Sequence, residues 1–359
     1  MVLFHASVKR KRNSIRMMAK FPFLCMALTG ALYAERLELV LPTENHHLFS
    51  ETPDKFYMYV DRTFEGEVTK PWEGGAFGYT RSPIRIDGQV VMTRFHEGID
   101  IAPVKRDKAG NPLDLVMSIA KGKVVHTADI AGRSNYGKYV VVCHEWENSK
   151  VFSLYAHLAE ITARAGDSVN PGSVLGRMGY TGAGLNRTRA HVHLEIALMM
   201  SENYEGWHRT HFGSKNYHGN FNGMNLAGID VAALFLELRA KPDLKFSEFI
   251  LSRRVQFKVL VPAVEAMPDF LVRHPWMRRG VVPDAVSWEI AFAATGHAIS
   301  FTPSIRPISQ AAVSHIRPSE IPQRWLTRGL LTGEGNNSSL SNGGKQMLAL
   351  VLDDFPKVE

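Results

Sequence analysis

Residues 190–196 read Ala190-His191-Val192-His193-Leu194-Glu195-Ile196, polar and apolar side chains alternating with a repeat of two. Successive side chains of a β-strand point to opposite faces, so His191, His193 and Glu195 share one face and Val192, Leu194 and Ile196 the other. One short strand thus presents two imidazoles to a common pocket. If His193 holds a metal, His191 faces the same pocket without having to be a ligand.

Working outward, Phe95-His96-Glu97-Gly98-Ile99-Asp100-Ile101-Ala102 sets a histidine and a carboxylate four residues apart around a glycine, and Ser153-Leu154-Tyr155-Ala156-His157-Leu158 adds another histidine. His96, Asp100 and His193 together would make a three-ligand zinc site with an open fourth position. That arrangement is expected where a metal activates water instead of only tying the chain together. His157 and His191 are left for acid–base or oxyanion work. Glu97 is set aside as a base, because its odd spacing from His96 in an extended segment turns it away. Glu195 either orients a ligand imidazole or forms an ordinary strand-end salt bridge. Tyr155, two before His157, either donates its hydroxyl into the pocket or packs in the core.

With these residues in place the chain resembles the lysostaphin-like (LytM-type) zinc metallopeptidases, cell-wall endopeptidases whose pattern is a His-x-x-x-Asp segment, a later lone His and a closing His-x-His. All five positions are filled here. The resemblance implies one Zn2+ per chain on His96, Asp100 and His193, catalytic roles for His157 and His191, and a peptidoglycan peptide as substrate. An imidazole from His157 or His191 would donate a hydrogen bond to the developing oxyanion while the other moves protons to the leaving amine, with the two roles open between them. Ala120-Lys121-Gly122-Lys123-Val124, Asn135-Tyr136-Gly137 and the run from Ala165 to Gly176 look like family turn signatures, each read as a glycine at positive φ. One departure is Ala183-Gly184-Leu185-Asn186-Arg187-Thr188-Arg189-Ala190, a longer and basic loop before the His-x-His. Arg187 and Arg189 there either meet substrate carboxylates or are solvated loop charge.

The surrounding pattern is strand after short strand, at 123–126, 139–143, 151–157, 174–176 and 191–197, separated by glycine turns. The fold expected is mainly β: an antiparallel peptidase sheet with an active-site groove over residues 68–227, followed by an α+β C-terminal extension over 228–359. Residues 35–67 form a lead-in. Gly179-Tyr180-Thr181-Gly182-Ala183-Gly184 is not a phosphate loop, since no Gly-Lys-Ser/Thr follows and a strand comes next instead of a helix. Residues 204–221, rich in aromatics and histidines, read as a loop bordering the groove and not as a second metal site. Beyond it the residues predict helices at 231–238 and 247–251, an alternating strand at 255–261, further strands within 287–301, a flexible Gly/Asn/Ser loop at 333–344 and a last apolar strand at 347–352.

The formal net charge is +7, but residues 1–34 hold six Lys/Arg and no Asp/Glu, which leaves 36 basic against 35 acidic residues, or +1. The basicity belongs to the leader, and the rest offers no electrostatic reason to expect a nucleic-acid partner. Lys9-Arg10-Lys11-Arg12, an apolar run over 21–32 and the closing Ala31-Leu32-Tyr33-Ala34 read as a signal peptide cleaved after Ala34, giving an exported protein of the periplasm or cell envelope with no stable membrane insertion. Of the two cysteines, Cys25 lies in that leader, so Cys143 is alone and reads as a core thiol. Two function classes follow: an exported zinc endopeptidase, or a non-catalytic peptidoglycan-binding or activator module of the same fold.

Overall fold

Short β-branched runs cut by glycine turns become an all-antiparallel framework. A computed structural model describes residues 36–359, apart from 60–62, 69–73, 264–266 and 358–359, so the leader lies outside the described residues. Two hairpins come first: β1 (Thr63–Phe64) with β2 (Glu67–Val68), then β3 (Gly78–Ile86) with β4 (Gln89–His96). The main sheet is built from β5 (Ile99–Ile101), β6 (Leu115–Met117), β7 (Gly122–Ala128), β8 (Lys138–Trp146), β9 (Ser149–Ile161), β10 (Ser168–Val169), β11 (Val174–Met178) and β12 (Val192–Met199). After α1 (Tyr204–His211), β13 (Leu226–Gly228) adds a ninth strand beside β12.

β9 organises this sheet. Its first half pairs with β12, with His193 opposite Ala156, and its second half pairs with β11, with Met178 opposite Leu158. The change of partner falls on His157, a non-glycine residue at φ 63°. A left-handed residue of this kind breaks the alternation and re-aims its side chain, as at a bulge. Tyr155 and His157 therefore part company. Tyr155 is fully buried, its hydroxyl accepting from the Ile119 amide at 2.9 Å and meeting Ser153 Oγ at 2.9 Å, so the core alternative holds and the pocket one does not. Cys143 is half-buried, and burial pushes its thiol up.

The glycines of the quoted turns serve two purposes. Gly137, Gly166 and Gly172 do sit at positive φ. Gly122 and Gly176 do not. A Cβ on either would lie 2.5 Å from the Cys143 carbonyl oxygen or 2.2 Å from that of Glu160, so close strand approach is what requires glycine there.

The C-terminal region continues with α2 (Val231–Ala240), capped by Asp230 Oδ1 accepting from the Ala233 amide, and α3 (Phe246–Leu251). Then come β14 (Val255–Pro262), α4 (Asp269–Arg273), β15 (Ser287–Ala293), β16 (Ala298–Ser304), β17 (Ala312–Ile316), α5 (Gln323–Leu326), β18 (Leu331–Thr332), β19 (Ser339–Leu340) and α6 (Asn342–Leu352). β14 to β17 form a four-stranded antiparallel sheet in the order β16-β15-β14-β17. One apolar core runs through both parts, holding Ile196 and Leu198 of β12 together with Val231, Phe249, Phe257 and Val351.

Two expectations are corrected here. Residues 347–352 are helix, not strand, because Ser341 caps α6 by accepting from the Gly344 amide at 3.0 Å and the helix buries Leu348, Leu350 and Val351. Residues 204–211 are likewise helix, and buried Trp207 donates its indole N–H to the Gln346 carbonyl at 3.0 Å, joining α1 to α6. No helix among the described residues is long and apolar enough to cross a membrane.

Candidate metal centre

Register brings the sequence clusters together. β12 lies between β5 and β9, with His193 opposite Asp100 on one side and Ala156 on the other, while His96 ends β4 just ahead of β5. Gly98 makes the turn between them possible, since a Cβ there would stand 2.3 Å from the Leu194 carbonyl oxygen and 3.0 Å from His193 Cε1. His191 and His193 share a face as the alternation requires, and His157 reaches them from the partner switch in β9. The ring centroids of His157 and His191 are 4.7 Å apart, and those of His157 and His193 5.9 Å.

All five sequence-predicted residues meet. Asp100 Oδ1 lies 2.9 Å from His193 Nδ1, 3.0 Å from His96 Nε2 and 3.3 Å from His191 Nε2. His96 Nε2 and His193 Nδ1 are 3.0 Å apart. Among the described residues His96, Asp100 and His193 form the one group of three or more potential ligands whose donor atoms converge, so the histidines of 204–221 make no second cluster.

The outer edges of these side chains determine which atoms face inward. His96 Nδ1 lies 2.8 Å from the Ala76 carbonyl, His157 Nδ1 2.8 Å from that of Thr181, and His191 Nδ1 2.7 Å from that of Arg189. A carbonyl only accepts, so each Nδ1 carries the hydrogen and each Nε2 turns a lone pair to the centre. His193 is reversed: its Nε2 donates to Glu195 Oε1 at 2.8 Å, leaving Nδ1 inward. Glu195, completely buried, is held in turn by the Tyr136 hydroxyl at 2.6 Å, so it orients the His193 imidazole and is no strand-end surface pair. Arg81 of β3 takes the other oxygen of Asp100 and anchors itself by donating Nε to the Gly74 carbonyl at 2.7 Å.

Three lone-pair-bearing atoms facing one another at about 3 Å repel unless a cation joins them. The triangle they form fits an ion bound at about 2.0–2.2 Å, the zinc–nitrogen and zinc–oxygen distance, and two imidazoles with one carboxylate are a zinc donor set. Each donor also has the outer-edge hydrogen bond that tunes and aims a metal ligand. The residues fit the metal.

The charge balance points the same way. Burial alone would raise Asp100, but the imidazoles of His96, His191 and His193 gathered around it hold its carboxyl well below the usual range. Burial draws His193 down, and the hydrogen bonds and charges of Asp100 and Glu195 outweigh that and push it up to about 10. His96 and His157 are pulled below 6.5, chiefly by burial. One positive charge, a proton or a metal ion, is therefore wanted at His193 between Asp100 and Glu195, while burial keeps His96 and His157 neutral. Tyr136 is raised well above 10 by burial and then by Glu195, which keeps it a donor.

A pocket of about 610 Å³ is lined by residues 131–135 with Gly182 and Ala183, and a Cβ on Gly182 would stand 3.1 Å from His157 Nδ1. Arg133 on its wall lies 4.6 Å from the Tyr217 ring centroid, and its carbonyl is 3.1 Å from His218 Nε2, so the end of the 204–221 stretch packs against that wall. Arg189 spends Nη1 on the Gly184 carbonyl at 2.9 Å, a bond within its own loop, and Arg187 is exposed. Arg81, the Ala76 carbonyl and the hydroxyl of Tyr136 were not found from the sequence. Only Tyr136 had a signal, since it stands in a quoted turn.

Residues 94–204 match the model of Peptidase family M23. Among solved structures, the catalytic domain of the prophage-encoded M23 protein EnpA of Enterococcus faecalis is 26% identical, covering 29% of this chain and 68% of that one, with a TM-score of 0.23. The catalytic domain of lysostaphin from Staphylococcus simulans is 24% identical over 35% of this chain and 83% of that one, at 0.24. A zinc-containing peptidase of Vibrio cholerae is 23% identical over 39% and 36%, also at 0.24. No curated protein matches the chain. His96, Asp100, His157, His191 and His193 all lie inside the segment 94–204 that matches peptidase family M23.

Proposed function

We propose that the protein is an exported zinc-dependent metalloendopeptidase that hydrolyses peptide bonds in the stems or cross-links of peptidoglycan. The observation that carries this reading is the inward convergence of five side chains, four of them buried and His157 partly so, every one anchored from outside. His96 Nε2, Asp100 Oδ1 and His193 Nδ1 would hold one zinc ion, which when bound supplies Lewis acidity and an activated water. Residues 68–227 are the peptidase domain in this reading and 228–359 an extension to it. Export is supported by the basic-then-apolar leader, and the peptidoglycan substrate by the match of the 94–204 segment to peptidase family M23.

The chain's own contribution is proton handling and orientation. His157 and His191 each have Nδ1–H tied to a carbonyl and Nε2 unprotonated toward the centre. Either ring can accept a proton at Nε2, and its Nδ1–H bond to a carbonyl strengthens as the ring becomes cationic. The protonated Nε2–H then donates to developing oxygen charge or passes its proton to the leaving amine. Burial keeps His157 neutral between turnovers.

Metal analysis of the purified protein, followed by incubation with purified sacculi and mass spectrometry of released fragments, tests the proposal. Stoichiometric zinc with new peptide ends is expected. Zinc without new ends would point to a binding or activator module, and a chain without zinc would overturn the reading.

A further inference from the structure

The β3–β4 hairpin is a sheet of its own, paired with neither large sheet, yet it delivers both His96 and Arg81 to the centre. A two-stranded ribbon is marginal alone, so its placement must come from what packs on it. The C-terminal region supplies that packing. Arg328, two residues beyond α5, donates Nη2 to Glu97 Oε1 at 2.8 Å and lays its guanidinium 4.5 Å from the Phe95 ring centroid. Its backbone N–H bonds the hydroxyl of Tyr79. At the other end of the hairpin, Gln89 Nε2 donates to Glu320 Oε2 at 3.1 Å. The contacts bracket His96, touching the residue on each side of it.

Arg328 also sits at φ 56°, a conformation that costs a non-glycine residue and persists where surroundings impose it. Glycine follows at 329, itself at φ 73°, so the turn uses two left-handed residues in a row and glycine fills only the second. The first falls on the residue that makes the three contacts.

We infer that residues 320–328 clamp the β3–β4 hairpin, and that Arg328 is a positioning residue for the metal centre. By gripping Phe95, Glu97 and Tyr79 it holds His96 Nε2 in place and keeps Arg81 within reach of Asp100. The C-terminal extension thereby becomes part of what shapes the peptidase site. The effect at the metal rests on the zinc reading above. The effect on the hairpin does not.

The test uses Arg328→Ala and Arg328→Lys in the full chain, with hydrogen exchange over residues 78–96 and cobalt(II) titration followed by visible absorption. Arg328→Ala should speed exchange in the hairpin but not over 139–143. It should also weaken cobalt binding about tenfold, in the range seen when the outer partners of metal ligands are removed, with an altered absorption envelope. Arg328→Lys, which keeps the charge toward Glu97 without the flat stack on Phe95, should recover most of that affinity. Unchanged exchange and an unchanged cobalt spectrum in Arg328→Ala would overturn the clamp while leaving the zinc reading intact. An unaltered chain that takes up no metal would sink the zinc reading and the positioning role with it, whereas the exchange data would still decide whether the clamp exists.

Discussion

The histidines of the candidate metal centre and the buried ones of the C-terminal sheet region differ in what their second nitrogen does. His96, His157, His191 and His193 each have one ring nitrogen tied to a carbonyl or carboxylate and the other aimed at a shared point. His274, after α4, has no partner on either nitrogen among the described residues, and His297 has one only on Nδ1, at 2.7 Å from Thr295 Oγ1. Burial pushes His274 down to about 3 and His297 to about 4, so both are neutral core fillers. The difference teaches that burial alone does not mark a working imidazole. A tethered outer edge and a converging lone pair do.

The sharpest way to break the comparison is to remove the working rings. His157→Ala and His191→Ala should keep the zinc but lose about 10²- to 10⁴-fold in turnover on sacculi. His96→Ala, Asp100→Ala and His193→Ala should lose the metal itself, as elemental analysis would show. Full turnover in His191→Ala would refute its role.

Next come the tethers. Arg81→Ala and Glu195→Gln remove outer partners of Asp100 and His193 and should weaken zinc about 10- to 100-fold, read by competition with a chromophoric chelator. An unchanged affinity would reduce those contacts to ordinary packing.

The backbone beneath the ligands is the third target. Gly98→Ala thrusts a Cβ against the Leu194 carbonyl, 2.3 Å away, and should cost about 1–3 kcal/mol in urea unfolding of the metal-free protein.

The smallest effect belongs to the other set of histidines. Because the folded pKa of His274, about 3, lies below the ordinary 6.5, the unfolded chain binds the extra proton between those values. Its contribution is full above pH 6.5 and is lost as pH falls toward 3, about 2 kcal/mol at pH 5. His274→Phe should flatten that slope in melts compared at pH 7.5 and pH 5. An equally steep slope in the variant would place the acid sensitivity elsewhere.

The centre was legible where its signal is local. The repeat of two in 190–196 places His191, His193 and Glu195 on one face, and the glycine between His96 and Asp100 marks their turn. What escaped acts at long range or through the backbone. Arg81 meets Asp100 only after β3 has paired with β4, and no periodicity announces such a contact. The carbonyl of Ala76 is a group every residue carries. Alternation carried through 153–158 would put Tyr155 and His157 on one face, but it breaks at a residue whose φ is 63°. The run 347–352 misled because six apolar residues suit a strand or a buried helix equally. Ser341, three before Gly344, was the overlooked capping signal.

The segment that matches the family begins at residue 94, after Ala76 and Arg81 have already contributed their atoms. A fragment trimmed to that segment would carry the complete motif and still be poorly furnished: the imidazole of His96 would be released to choose its own tautomer, and Asp100 could swing either oxygen inward. Competence at this centre thus depends on a longer stretch of polypeptide than the one by which the motif is recognised.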